Sequence, residues 1–290
     1  MKTLDTIRAL ISLKYVRTGL LLVVLALLAV VVLVNTRAGA AEAPEAITEE
    51  VISGVPAYLD RHGSGPTAAG MVIGYWDGNG FGNLIAGDAF TQTDEVNAAI
   101  ASEENYTDYC LPRDDDGEIL RDKSEDPPFM RHEDNCLADY MKTSQSAYAN
   151  WYGYSAFMDV GPALQAYVLQ TLGPGYVVET TNLREPEFGG TMNWDNLRAE
   201  IDAGRPLILL VDKTGAKERV FVTAVGYRTV DQTQEYACYN TLDQNLHWYE
   251  FALWTQTWTQ QWAVSSGVTF RIQPLDNGVF LPLVMRSSDS

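Results

Sequence analysis

The feature that most constrains the fold is a change of hydrophobic rhythm near residue 205. Before it, apolar residues recur at helical spacing. A helix is predicted from Pro66, another over Pro162 to Leu172 closed by Gly173-Pro174-Gly175, and a third over Trp194 to Ala203, with Trp194, Leu197 and Ile201 on one face and Gly204 as the stop. Cys136 to Met158 reads as helix interrupted by a loop at Tyr152-Gly153-Tyr154. After residue 205 the apolar residues come in runs of strand length: Pro206 to Val211, Val220 to Val225, Glu235 to Tyr239, His247 to Phe251 and Val268 to Ile272. Helices first and strands afterwards predict an α+β fold with a mostly antiparallel sheet.

Within the helical half, residues 62–76 (HGSGPTAAGMVIGYW) carry the densest local signal. Gly63 and Gly65 free the backbone for a tight turn, Pro66 suits the first helical position, and Ala68, Ala69, Met71, Val72 and Ile73 form an apolar helical body. Ser64 therefore falls at a helix N-terminus. Two roles fit that place: an N-cap accepting from a backbone N–H, or a functional group where the unpaired N–H groups and the helix dipole favour negative charge.

The chain has 290 residues, enough for one large domain or two small ones, and 46% hydrophobic residues suffice for a buried core. Gly19 to Val34 is an uninterrupted apolar run, preceded by Lys2, Arg8, Lys14 and Arg17 and followed by Ala38-Gly39-Ala40. Residues 1–40 thus read as an export signal, either cleaved or kept as a single membrane anchor through residues 19–34, which leaves the remainder extracytoplasmic. Removing residues 1–37, which hold five basic residues and one acidic residue, takes 20 Lys and Arg against 38 Asp and Glu to 15 against 37, a net charge of −22. So acidic a portion is a poor partner for nucleic acid or anionic lipid, although a cationic peptide remains compatible with it. Residues 41–54, acidic and alanine-rich, read as a linker, and residues 274–290 as a C-terminal tail.

Three cysteines occur, Cys110, Cys136 and Cys238. The first two lie near the two ends of an acidic insertion at about 105–139, and in an oxidising compartment a disulfide between them would contribute on the order of 3 to 4 kcal/mol. Cys238, among apolar neighbours, reads as a buried small hydrophobe. No zinc spacing is present, and Asp114-Asp115-Asp116-Gly117-Glu118 lacks the EF-hand register, since Pro112 stands where the first carboxylate ligand is required. The insertion reads as a solvated surface segment carrying His132, and no metal or cofactor is expected.

Val55-Pro56-Ala57-Tyr58 with Gly63 to Met71, Ala203-Gly204-Arg205-Pro206 and Phe221-Val222-Thr223-Ala224-Val225-Gly226-Tyr227 together resemble the papain-like cysteine peptidases of the bacteriocin-processing, C-39-like type, over about residues 55–272. The resemblance implies a papain-like fold over residues 55–273, helical half then sheet. It also assigns positions. Ser64 stands where the family has its nucleophilic Cys, Val220 where it has the base His, Asn240 at the orienting position and Tyr58 at the upstream oxyanion position. Valine accepts no proton, and a serine hydroxyl needs a base more than a thiol does. The expectation is therefore a peptidase-like domain without turnover that binds extended peptide segments, with Trp76, Trp248 and Trp254 available to line a cleft.

Two alternatives stand beside it. One is an active hydrolase in which Ser64 recruits His247, oriented by Asp243; His62 is too close in sequence to Ser64 to turn back on it. The other is a structural surface protein that binds nothing in the cleft.

Overall fold

The computed structural model describes residues 48–109, 122–127, 130–214, 218–255 and 260–275. The apolar run at Gly19 to Val34, Cys110, Asp114 to Glu118 and the tail beyond Leu275 lie outside the described residues. No helix among the described residues is long and apolar enough to cross a membrane.

In chain order the elements are β1 (Thr48–Val51), α1 (Ser64–Gly78), α2 (Asp94–Ile100), α3 (Glu103–Asp108), α4 (Leu137–Tyr140), α5 (Phe157–Leu172), β2 (Tyr176–Leu183), α6 (Trp194–Asp202), β3 (Leu207–Asp212), β4 (Arg219–Val230), β5 (Thr233–Tyr239), β6 (His247–Glu250) and β7 (Ala263–Pro274). The fold is α+β. Six strands of the seven-stranded sheet run in the order β2-β7-β3-β4-β5-β6, every pair antiparallel, and β1 pairs with β4.

The register explains where β1 goes. One side of β4 pairs with β5 over residues 223–230, and the other pairs with β3 only as far as Ala224. Thr48–Val51 fills the free edge beyond it, opposite Gly226 to Thr229. The segment read as linker thus enters the sheet: an exposed Glu-rich strand satisfies backbone groups of β4 that would otherwise be left open.

Alternation along β3 divides the core. Ile208 and Leu210 join the cluster formed with α1, α4 and α5, whereas Leu207, Leu209 and Val211 join Leu197 and Ile201 of α6 on the opposite face. A strand covered on both faces accounts for an apolar run without polar alternation. Helix α5 begins at Phe157, five residues before Pro162, and α1 at Ser64, two before Pro66. Pro66 is tolerated because the first turn of a helix has no intrahelical acceptors for its N–H groups. The stretch from Cys136 to Met158 is mostly loop, with one short helical turn at Leu137–Tyr140 and a 3₁₀ turn at Ser146–Tyr148.

Candidate functional site

Helix α1 packs against β4, and its first residue meets the first strand turn: the Phe221 N–H donates to Ser64 Oγ at 3.0 Å, across 157 positions of sequence. Ser64 is thus not an N-cap. Gly63 holds that position, and no side chain caps the helix. The hydroxyl oxygen is spent on the sheet instead.

Ser64 opens on a cleft of about 400 Å³ that Val220, Phe221 and Asn240 also line. Three of the four family-assigned positions therefore come together. The fourth does not: Tyr58 is fully buried, donates its hydroxyl to Ala89 O, and lies among residues packed behind α1. The Asn240 amide is already engaged, its Oδ1 accepting from Leu242 N at 3.0 Å and its Nδ2 donating to the Tyr249 hydroxyl at 3.3 Å.

No histidine and no cysteine is among the described residues lining this cleft. His247 and Asp243 form the anticipated pair, Nε2 to Oδ1 at 2.8 Å, and the pairing holds the Asp243 carboxyl below its usual range. Yet His247 sits on β6, separated from β4 by β5, a lateral distance of about 9 to 10 Å for two strand spacings. Its ring stacks instead on Tyr249, which stacks on Trp262. His62 is buried, takes a left-handed backbone conformation (φ 63°) and lies edge-on to Tyr106. Burial, then the Arg61 charge, lowers its imidazole to about 4.

The wall opposite β4 is the loop Tyr152-Gly153-Tyr154-Ser155. Gly153 N donates to Ser144 Oγ at 2.8 Å and Ser144 N to Tyr154 O at 3.1 Å, which fixes the loop from behind. Gly63 (φ 114°) and Gly153 (φ 79°) face one another so closely that a methyl group on Gly63 would run into the Gly153 carbonyl. Tyr152 and Tyr154 are 55% and 54% exposed, and Leu242, on the other side, is 54% exposed, so the mouth offers apolar surface to an occupant.

None of Trp76, Trp248 and Trp254 lines the cleft. Trp76 packs on Phe81 and Phe270, Trp248 lies under Arg228, and Trp254 is buried under Arg219 with its indole N–H on Asp212. The exposed aromatic groups of the site are tyrosines, at the loop that interrupts the helical pattern after Cys136. Asp60 was also missed. Its Oδ1 accepts from Gly63 N at 3.1 Å, its own N–H donates to Thr241 O at 2.8 Å, and burial raises its carboxyl above the ordinary value. An acidic residue three positions before a turn glycine was the available signal, since short acidic side chains close such turns on the backbone.

A second concentration of reactive groups lies in the insertion. His132 is not on the surface: Nδ1 meets Asp108 Oδ2 at 2.9 Å and Nε2 meets Asp139 Oδ2 at 3.1 Å. With a carboxylate at each ring nitrogen both must donate, which requires the imidazolium. Burial opposes that charge, but the Asp108 hydrogen bond and the Asp139 charge outweigh it, and the pKa is raised. Asp139 also accepts from Asn105 Nδ2, Asn135 N, Cys136 N and Cys136 Sγ. Cys136 is a buried free thiol here, so the expected bridge to Cys110 is not formed; burial pushes its pKa far up, as it does for the fully buried Cys238. Among the described residues no group of His, Cys, Asp and Glu could hold a metal ion.

Compared with known proteins, the chain matches no family model and no curated protein.

Proposed function

We propose that this chain carries a papain-like, C-39-type peptidase scaffold that has lost peptide-bond turnover and retains the cleft to bind extended peptide segments outside the cytoplasm. One observation carries the reading. Ser64, Val220 and Asn240, positions assigned by resemblance alone and scattered over the chain, line a single cleft. In that cleft the hydroxyl at the nucleophile position has no imidazole beside it, and its oxygen is tied to the Phe221 N–H. A serine without a base is a poor nucleophile at neutral pH. The exposed tyrosines and Leu242 at the mouth supply surface for a chain segment lying across it.

The test is hydrolysis of a mixed peptide and ester library by the protein, beside Ser64→Ala and the double variant Ser64→Cys with Val220→His. The native chain and Ser64→Ala are expected to be equally silent. The double variant, having regained thiol and base, should turn over substrate at least roughly a hundredfold above background. Turnover by the native chain that vanishes in Ser64→Ala would overturn the proposal.

A further inference from the structure

Among the described residues the charged groups lining the cleft are paired, with one exception. Lys213 Nζ lies 3.3 Å from Glu218 Oε1. Arg219 reaches Glu185 at 3.2 Å and stacks its guanidinium 4.4 Å over the Trp254 ring. Arg61, next in sequence to Asp60, turns away to Glu103 at 2.8 Å and lies 4.5 Å over Tyr106. Asp60 is left. Among the described residues no cation meets it, and its one donor, Gly63 N, occupies Oδ1 and leaves Oδ2 open.

Chemistry around this carboxylate is equally one-sided. Tyr152 and Tyr154 line the same cleft with more than half their surface exposed, as does Leu242. Such a combination suits a long side chain with an apolar stem and a cationic head. The methylenes of a lysine or arginine cover tyrosine and leucine surface, the ring faces attract the cation, and the charge ends on a carboxylate. An acidic peptide would meet Asp60 with no unpaired cation among the described residues of the lining to answer it.

From this we infer that Asp60 sets the specificity of the cleft, receiving the head of a Lys or Arg side chain from an extended peptide. The inference rests on the reading of the cleft as a peptide site and goes beyond it by naming the side chain selected and the group that selects it.

Short Gly/Ser peptides, acetylated and amidated and carrying a single Arg, Lys, Gln or Glu, are titrated into the protein by calorimetry or fluorescence anisotropy. The Arg and Lys peptides should bind roughly five- to tenfold more tightly than the Gln peptide, and the Glu peptide more weakly than all. Asp60→Asn, which keeps the acceptor for Gly63 N, should erase that preference, Asp60→Glu should keep it, and Asp60→Lys should invert it toward the Glu peptide. Equal binding of all four peptides by the native protein, or a preference that survives in Asp60→Asn, overturns the inference and leaves the peptide cleft standing. Binding of none of them overturns both. A peptide with a free N-terminus and no Lys or Arg that binds better than the acetylated Arg peptide overturns the side-chain assignment in favour of a terminal ammonium.

Discussion

Around Ser64 the protein keeps an open cleft without an imidazole; around Asp139 it keeps an imidazole, two carboxylates and a thiol, and closes over them. The first region has an open cleft and the second has the reactive side chains. Position explains the contrast. The carboxylates of Asp108 and Asp139 are taken up by His132, Lys123, Asn105, Asn135 and Cys136, so they hold the insertion against α3 and α4, whereas Ser64, Asp60 and the tyrosines leave polar and apolar surface unspent at a mouth. Reactive residue types are therefore a poor guide to a site unless something is left for a ligand to satisfy.

The largest effect that tests this contrast is expected from Asp139→Ala. It removes the acceptor of His132 Nε2, Asn105, Asn135 N, Cys136 N and Cys136 Sγ together and leaves the His132 imidazolium with Asp108 alone. Urea denaturation should show a loss of about 3 to 5 kcal/mol. A loss under 1 kcal/mol would mean that the network is not structural, and the division between the two regions would fail. In the cleft, Gly63→Ala combines a left-handed backbone (φ 114°) with a collision at the Gly153 carbonyl, and should cost about 3 kcal/mol while displacing the Tyr152 to Tyr154 wall. Peptide binding unaffected by it would remove that wall from the site.

The two histidines should sharpen the comparison through pH. His62, lowered from 6.5 to about 4, refuses a proton that the unfolded chain accepts, so stability falls as pH drops from 6.5 toward 4. For His132 the sign is opposite. Its raised pKa gives a contribution fully present below 6.5 and lost as pH rises through the folded value. His62→Leu should flatten the acid limb of the stability profile. His132→Gln should flatten the alkaline limb and cost about 2 kcal/mol near neutrality, the worth of hydrogen bonds to charged groups. Imidazole proton resonances that titrate together would remove the distinction.

Much of the sheet was legible because its strands are buried on one or both faces, and burial writes apolar runs: Leu207–Asp212 and Arg219–Val230 lie where the runs stand. Two strands escaped. Thr48–Val51 is largely exposed, and Tyr176–Leu183 alternates partly exposed with exposed positions and buries only Leu183, so neither carries the density that marks a strand. At the site, local chemistry placed Ser64 at a helix start and Val220 at the start of an apolar strand run, while resemblance alone gave either a role. Asp60 and the tyrosine wall depend on a loop folding back onto Gly63, a long-range contact that no local pattern encodes. His132 was misjudged for the same reason: its two carboxylates stand 24 residues before it and 7 after, in a segment whose acidity alone suggested solvent.

Ser64→Ala carries the smallest expected effect and bears most directly on the emptied cleft. The hydroxyl oxygen accepts one backbone hydrogen bond, from Phe221, and no histidine is among the described residues lining its cleft. Deletion should therefore leave one N–H without its partner and cost about 1 kcal/mol, with no change in peptide affinity or in background hydrolysis. Amide exchange at Phe221 separates the possibilities. Faster exchange confined to that amide and its strand neighbours is what a mere tie between α1 and β4 produces. A loss of several kcal/mol with exchange spreading through α1 would make Ser64 a structural anchor, retained for packing, and its place at the nucleophile position would then cease to speak for a lost peptidase.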